Sequence, residues 1–253
     1  HRNVIFRSSK NLPVPFSYFD SQKPEDLWKW MDEQRSKGIA LLAIPHNGNL
    51  SNGRMYALTD SDGNALSKAY VEARARNEKL TEIIQTKGQS ETHPLMAPND
   101  EFAFNFELWS KPVAGPGTVK VVDTNYVRNA FGNGLLLQQK LGTNPFKYGV
   151  VGGGDIHTSI VSHEEFAFTG EHNLKSGTAH QRLLEQLPGE PSKIEQGSAG
   201  LSCVWAEENT REAIFDAMKR RETYATTGPR MAVRFFGGWD FEAADANNRM
   251  PAR

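Results

Sequence analysis

The chain has 253 residues, with 29 Lys and Arg side chains against 30 Asp and Glu and a formal net charge of -1. This balance argues against a nucleic-acid partner, because polyanions are bound by basic surfaces. The longest apolar run, residues 39–44, is too short to span a bilayer. The lone cysteine, Cys203, excludes an internal disulfide and a thiolate metal cluster, so a bound metal would need His, Asp or Glu ligands.

Helical and strand patterns alternate along the chain. Residues 23–26 mark a helix start with a proline and two acids, and an apolar stripe at helical spacing continues from there to Gly38. Residues 39–44 are apolar without alternation, which is typical of a strand buried on both faces. Further helices are predicted at 67–80, 126–141 and 211–221, and further strands at 81–86, 147–151, 201–205 and 231–236. Alternation of this kind predicts a parallel α/β sheet or barrel.

Reactive residues in parallel α/β folds lie beyond the carboxyl ends of the strands. Asp155 and His157 follow three glycines after one predicted strand, and residues two apart on an extended chain project to the same face. They predict a metal-binding pair, the alternative being a solvated loop with an Asx turn. His46 ends another predicted strand and is either a further ligand or a hydrogen-bonded structural histidine.

Other polar side chains at strand ends are candidates for supporting roles. Glu91 and His93 form either an acid/base or outer-shell pair or a polar surface loop. Lys87 and Arg230 lie beside strand ends and glycines, where they could bind an anionic group of a substrate, although most cations on a protein are simply solvated. Covalent catalysis is disfavoured, because no Gly-x-Ser-x-Gly elbow is present and Cys203 lies within a predicted strand.

Several separate motifs together resemble a known family over nearly the whole chain. They are His1-Arg-Asn-Val-Ile-Phe-Arg7, Ile44-Pro-His-Asn-Gly-Asn-Leu-Ser51, Gln85-Thr-Lys-Gly-Gln-Ser-Glu91, Gly152-Gly-Gly-Asp-Ile-His157, Val204-Trp-Ala-Glu-Glu-Asn-Thr-Arg-Glu-Ala-Ile-Phe215 and Arg221-Glu-Thr-Tyr-Ala-Thr-Thr-Gly-Pro-Arg230. The resemblance is to a large bacterial family of domains of unknown function that is related to the PHP (polymerase and histidinol phosphatase) metallohydrolases. It implies that residues 1–230 are the C-terminal part of a distorted (β/α)7 barrel with long strand-end loops. Residues 231–253 would then begin a C-terminal extension.

The same resemblance implies a set of metal ligands. His1 and His46 match the family's two single histidines, and Asp155 with His157 match its closing Asp-x-His pair. The family's opening His-x-His pair and its glutamate have no match in this chain. The resemblance therefore implies that an N-terminal segment, absent from this sequence, completes the site.

Two or three divalent ions of zinc, manganese or iron suit such imidazole and carboxylate ligands. Neighbouring ions would lower the pKa of a bridging water and so supply hydroxide near neutral pH. The resemblance thus implies a metal-dependent hydrolase of a small anionic substrate with an ester-type bond. Phosphoester is the first choice, and carbamate, carboxylic ester and sulfate ester are alternatives. A non-catalytic barrel remnant that binds a ligand through its long loops is the alternative from another class, and both an exported or periplasmic and a cytoplasmic location stay open.

Overall fold

The structure is a computed structural model that describes residues 1–104, 119–155 and 200–247, together with Thr178 and His180. Its helices and strands are, in chain order, β1 (Arg2–Phe6), α1 (Pro24–Ser36), β2 (Leu41–Pro45), α2 (Lys68–Asn77), β3 (Leu80–Gln85), β4 (Gly88–Gln89), α3 (Val127–Leu141), β5 (Gly149–Gly152), β6 (Leu201–Val204), α4 (Arg211–Arg220) and β7 (Thr223–Thr226).

Local sequence signals place most of these elements. The side chains of Ser67 and Thr210 each accept a hydrogen bond from a backbone N–H in the first turn of α2 and α4, and so cap those helices. Helix α3 ends at Gly142, whose φ of 81° lies in the left-handed region that glycine adopts most easily. Every residue of β2 is buried, as its unbroken apolar pattern predicts. The strand predicted at residues 231–236 is wrong, because these described residues form none.

The barrel expected from the resemblance is also wrong. The described strands form three separate sheets, ordered β1-β2, β4-β3-β5 and β6-β7, and none closes into a barrel. Only β3 and β5 pair in parallel, whereas β1–β2, β3–β4 and β6–β7 are antiparallel. A (β/α) barrel requires parallel pairing around a closed ring, and the antiparallel pairs interrupt it. The domain boundary placed after residue 230 stays a prediction.

The separate sheets nevertheless lie side by side. A parallel bridge links Ala43 of β2 to Glu78, just before β3. A Cβ added to Gly149, at the start of β5, would lie 2.9 Å from Thr223 Oγ1, at the start of β7. A Cβ added to Gly152, at the end of β5, would lie 2.8 Å from the carbonyl oxygen of Leu201, which pairs with Thr226 at the end of β7. Strands β2, β3, β5 and β7 therefore run in one direction, with a shared carboxyl edge and a shared amino edge.

Apolar packing joins these strands to one helix. Leu42 and Ile44 of β2 form one buried cluster with Leu80 of β3, Val151 of β5 and Phe215 of α4. A second cluster packs α1 against β2 and consists of Trp28, Met31, Leu41 and Ala43. A third cluster lies between α3 and the chain before β5 and consists of Met55, Tyr56, Val127, Ala130, Phe146 and Tyr148. This packing fixes the carboxyl edge, where polar side chains converge.

Candidate functional site

His46 is the first of these polar side chains, and it lies buried directly after β2. The antiparallel register pairs Arg2 with Pro45, which brings His1 beside His46. The backbone N–H of His46 donates to the carbonyl oxygen of His1 at 3.2 Å. The two imidazole rings stack with their centroids 5.2 Å apart. Two histidines from distant parts of the sequence thus meet because β1 returns along β2.

Glu82 fixes the orientation of His46 from the neighbouring strand. Its Oε2 lies 2.9 Å from Nδ1 of His46, and its Oε1 accepts the backbone N–H of Asn47 at 3.1 Å. Both oxygens are therefore used, and the carboxylate is buried within β3. We did not predict a role for Glu82 from the sequence. The feature that could have identified it is a charged residue within the strand predicted at residues 81–86, because a charge that becomes buried needs a partner.

Asp155 reaches the same place from the loop after β5. Its Oδ2 lies 3.5 Å from Nε2 of His46 and accepts a hydrogen bond from Nε2 of Gln85 at 3.1 Å. It also forms an ion pair with the ammonium group of Lys87. Asp155 and Lys87, predicted separately as a metal ligand and a substrate-binding cation, are thus direct neighbours. The Gln85 side chain also donates to the amide oxygen of Asn47, so the amide side chains are part of this network as well.

These contacts set the charges in the site. Burial disfavours a charged His46, but its hydrogen bonds with Asp155 and Glu82 outweigh burial and raise the pKa of His46 to about 9. Burial would likewise raise the pKa of Asp155, but His46 and Lys87 hold it well below the usual range of a carboxyl group. His46 is therefore an imidazolium and Asp155 a carboxylate at neutral pH when no metal ion competes for the ring.

Two residues of the site have an unusual backbone conformation. Asn47 has a φ of 55° and Asp155 a φ of 48°, and both values lie in the left-handed region. Asn and Asp enter this region more easily than most residues, but the conformation still costs free energy relative to an ordinary one. Backbone strain of this kind clusters at functional sites, where surrounding contacts hold it. Here the contacts of Asn47 with His46 and Gln85 do so.

The polar side chains face a cavity of about 350 Å³ at the carboxyl edge. Its lining includes His1, His46, Glu82, Asp155 and Ser202. Gly152 and Gly153, two of the three glycines before Asp155, also line it, and a Cβ added to Gly153 would lie only 3.2 Å from Glu82 Oε2. A concave space with a few convergent polar groups is the usual form of a small-molecule site.

The remaining predicted site residues lie elsewhere. Glu91 is held by the guanidinium of Arg128, with Oε1 at 2.6 Å from its Nε, and it does not line the cavity. His93 also lies outside the lining; its Nδ1 accepts a backbone N–H at 3.1 Å, and burial lowers its pKa. Arg230 is exposed, shortly after β7. His157 lies outside the described residues.

The chemistry of the donors fits a divalent transition metal. Because Glu82 holds Nδ1 of His46 as a donor, the neutral ring carries its lone pair on Nε2, the nitrogen that faces Asp155. A carboxylate on the far nitrogen is the common arrangement of metal-binding histidines. The described residues include no ready-made group of three His, Cys, Asp or Glu side chains that could hold an ion.

In the same part of the chain, no helix has the length and apolar character needed to cross a membrane.

Comparison with known proteins gives one match. The model of the family described as "Protein of unknown function (DUF3604)" matches residues 1–253. No curated protein matches the chain, and no solved structure matches it.

Proposed function

The chain belongs to this family, whose description names no activity, and we propose from the site that it is a metal-dependent hydrolase related to the PHP metallohydrolases. The observation that carries the proposal is the convergence of His1, His46, Glu82 and Asp155 on one cavity. Imidazole and carboxylate donors without a thiolate suit zinc, manganese or iron. A buried group of charged side chains that faces open space is also more typical of catalysis than of support for the fold.

The proposed ligands are His1, His46 and Asp155, together with His157. When bound, the ions would supply Lewis-acid activation of water and stabilisation of the charge that develops in the transition state. Glu82 holds the His46 ring through Nδ1, so the ligand atom would be Nε2, which in the structure lies 2.9 Å from the amide nitrogen of Asn47. Ser202, which also lines the cavity, donates its hydroxyl hydrogen to the carbonyl oxygen of Gly152 and is therefore not prepared as a nucleophile.

The substrate that this site favours is a small molecule with an anionic ester-type bond, a phosphoester in the first place. The cavity volume of about 350 Å³ is near the lower end for small-molecule sites. The ammonium group of Lys87, which contacts Asp155 at the site, would attract a phosphoryl group. Glu91, His93 and Arg230 stay predictions as acid/base and substrate-binding residues, and none of the three is among the described residues that line the cavity.

Metal content and turnover test the proposal. The purified chain is loaded separately with zinc, manganese and iron, dialysed and analysed for bound metal. We expect retention of at least one of these metals, and at least about tenfold weaker retention in His46→Ala and Asp155→Ala. His180→Ala, which replaces an exposed histidine, is the matched control and should retain the metal fully.

A panel of chromogenic phosphate, sulfate, carboxylic ester and carbamate substrates then identifies the reaction. Turnover by the metal-loaded protein that is lost in both site variants and kept in His180→Ala would support hydrolysis. Full metal retention by His46→Ala and Asp155→Ala would refute the assignment of these ligands. Inactivity of the loaded protein on every substrate would refute the proposed reaction class.

A further inference from the structure

The amino edge of the strands, opposite the cavity, carries a group of cations that the proposed function does not use. Lys79 directly precedes β3, Lys219 lies in the last turn of α4, and Arg221 follows α4 just before β7. Gly149, at the start of β5, joins them. Its N–H donates to the carbonyl oxygen of Lys79 at 3.0 Å, and a Cβ added to it would lie 2.9 Å from Cβ of Arg221.

Positive charge is crowded around Lys79. Burial lowers the pKa of Lys79, and nearby cations lower it further; in order of effect these are Arg221, Lys219, Arg35 and Arg76. Asp32 pairs with both Arg35 and Arg76. Within the described part of the chain, Lys79, Lys219 and Arg221 form no ion pair. Like charges repel when they are held together. The carboxylates of Asp216 and Glu222 lie on the same segment, but they form their ion pairs with Arg7 and Arg220, and Lys219 acts on Asp216 only as a nearby charge.

Two buried polar atoms beside Gly149 also lack a hydrogen-bond partner within the described residues. They are Nε of Arg221 and Oγ1 of Thr223. Burial lowers the pKa of Arg221, which shows that its charge is partly removed from water without compensation. A buried donor without an acceptor is unfavourable, and the penalty is larger for a charged group. Both atoms thus point to a hydrogen-bond partner that the described residues do not provide.

The conformation of Arg221 gives a further indication. It caps α4 with a φ of 67°, in the left-handed region that glycine adopts most easily at the end of a helix. The left-handed backbone thus favours glycine at this position, whereas the negative end of the helix dipole favours a cation. The Arg221 side chain begins beside Gly149, and its charge is close enough to lower the pKa of Lys79, so an arginine here adds to the cations at this edge.

We propose that Lys79, Lys219 and Arg221, with the hydroxyl group of Thr223, bind a phosphate-type oxyanion at the amino edge. A guanidinium can donate two parallel hydrogen bonds to such a group, and ammonium groups add charge. The oxyanion would neutralise the crowded cations and supply the acceptor that Arg221 Nε lacks. The site lies at the opposite ends of β3, β5 and β7 from the cavity, so it does not depend on the proposed hydrolase function.

Calorimetric titration with inorganic phosphate, at an ionic strength held constant with sodium chloride, tests this site. It uses the full chain carrying Lys87→Gln, which removes the cation that could hold phosphate in the cavity. We expect binding to this protein, and at least about tenfold weaker binding after addition of Lys79→Gln and Lys219→Gln, since each lost charged hydrogen bond weakens affinity by about that factor. Lys10→Gln, in which an exposed lysine is replaced, should bind as before.

Arg221→Gly separates binding from stability. Glycine suits the left-handed conformation, so the variant should unfold in chloride at the same or a higher temperature while its phosphate affinity falls at least about tenfold. Thr223→Val, which keeps the shape of the side chain, should weaken binding severalfold. Unchanged phosphate affinity in Arg221→Gly, or no phosphate binding beyond the effect of chloride, would overturn the proposal.

Discussion

Two groups of charged side chains are buried beside β3, and only one of them faces open space. We call them the Arg74 cluster (Arg2, Trp28, Arg74, Glu78 and Tyr148) and the His46 cluster (His46, Glu82, Lys87 and Asp155). The Arg74 cluster is closed. Nε of Arg74 lies 3.0 Å from Oε2 of Glu78 and donates to the Tyr148 hydroxyl, also at 3.0 Å. Glu78 accepts further hydrogen bonds from Tyr148, from Trp28 Nε1 and from Arg2.

Aromatic rings complete the enclosure of the Arg74 cluster. The Arg74 guanidinium lies 4.7 Å from the ring centre of Phe146 and 5.6 Å from that of Trp28, within the range of cation–π attraction. Burial disfavours a charged Glu78, but Arg2 and Arg74 outweigh it and hold the pKa of Glu78 below its usual value.

The His46 cluster also buries charged side chains, but three of its members, His46, Glu82 and Asp155, line the cavity. Asp155 and the neighbouring Asn47 also have left-handed backbone conformations. The comparison shows that burial of charge does not by itself identify a functional site. Where protein groups pair the charges and enclose them, the cluster supports the fold, even though one buried nitrogen, Nη2 of Arg2, has no hydrogen-bond partner among the described residues. Where the charges face a cavity and the backbone is strained, they are available to a ligand.

The largest effect on stability should come from breaking the closed cluster. Arg74→Met keeps much of the side-chain volume but leaves Glu78 as a buried carboxylate with fewer partners. We expect the free energy of unfolding to fall by about 3–5 kcal/mol, measured by urea denaturation. Lys68→Met, which removes an exposed lysine 3.8 Å from Glu72, should have no measurable effect. A similarly small effect of Arg74→Met would mean that the two clusters do not differ as described.

Acid should act on the closed cluster in a defined direction. The folded pKa of Glu78 lies below its ordinary value of 4.5, so its contribution to stability is complete above pH 4.5 and is lost as the pH falls through the folded value. Below pH 4.5 the unfolded chain binds a proton that the folded protein does not, which lowers the free energy of unfolding by up to about 1.4 kcal/mol per pH unit. Glu78→Gln should reduce this slope when unfolding is followed from pH 5 downward. An identical slope in the variant would contradict the charged state of Glu78.

The smallest effect on stability should come from the cavity side. Asn47→Gly relieves the left-handed conformation but removes the side-chain contact with His46 and the hydrogen bond from Gln85, so the free energy of unfolding should change by no more than about 1 kcal/mol. Asn49→Gly is the matched control. Asn49 has no left-handed backbone to relieve, and its side chain forms hydrogen bonds with the carbonyl oxygen of Lys87 and the hydroxyl of Ser90. Asn49→Gly should therefore lower the free energy of unfolding by more than Asn47→Gly does. If Asn47→Gly is the more damaging of the two, the strain assigned to the site is wrong.

The sequence predicted the local elements better than their arrangement. Helix α1 and strand β2 follow from the proline-led apolar stripe and the apolar run at residues 39–44. The antiparallel pairing of β1 with β2 could not be predicted in this way, because an unbroken apolar strand has the same sequence pattern beside a parallel or an antiparallel neighbour. The alternation of helices and strands left a parallel sheet or a barrel open, and the barrel that the resemblance implied is contradicted by the antiparallel pairs among the described strands.

Part of the candidate site was also visible in the sequence. His46, Asp155 and Lys87 could be selected because they follow strands, where side chains reach the carboxyl edge. Their pairing depends on which strands are neighbours and could not be derived from spacing. Glu82 was missed because a single carboxylate within an apolar strand does not show what it contacts until the opposite side chain is known.

The amino-acid sequence by itself determined the four helices and the strands β2, β3, β5 and β6, but not β1, β4 or β7, and it determined which donor types are available to a ligand. These features depend on residues close in the chain. Tertiary structure alone decided that one group of buried charges is sealed and another faces a cavity. That outcome depends on contacts between residues far apart in the sequence, such as Arg74 with Tyr148 and His46 with Asp155, whose free energies exist only once the chain has folded.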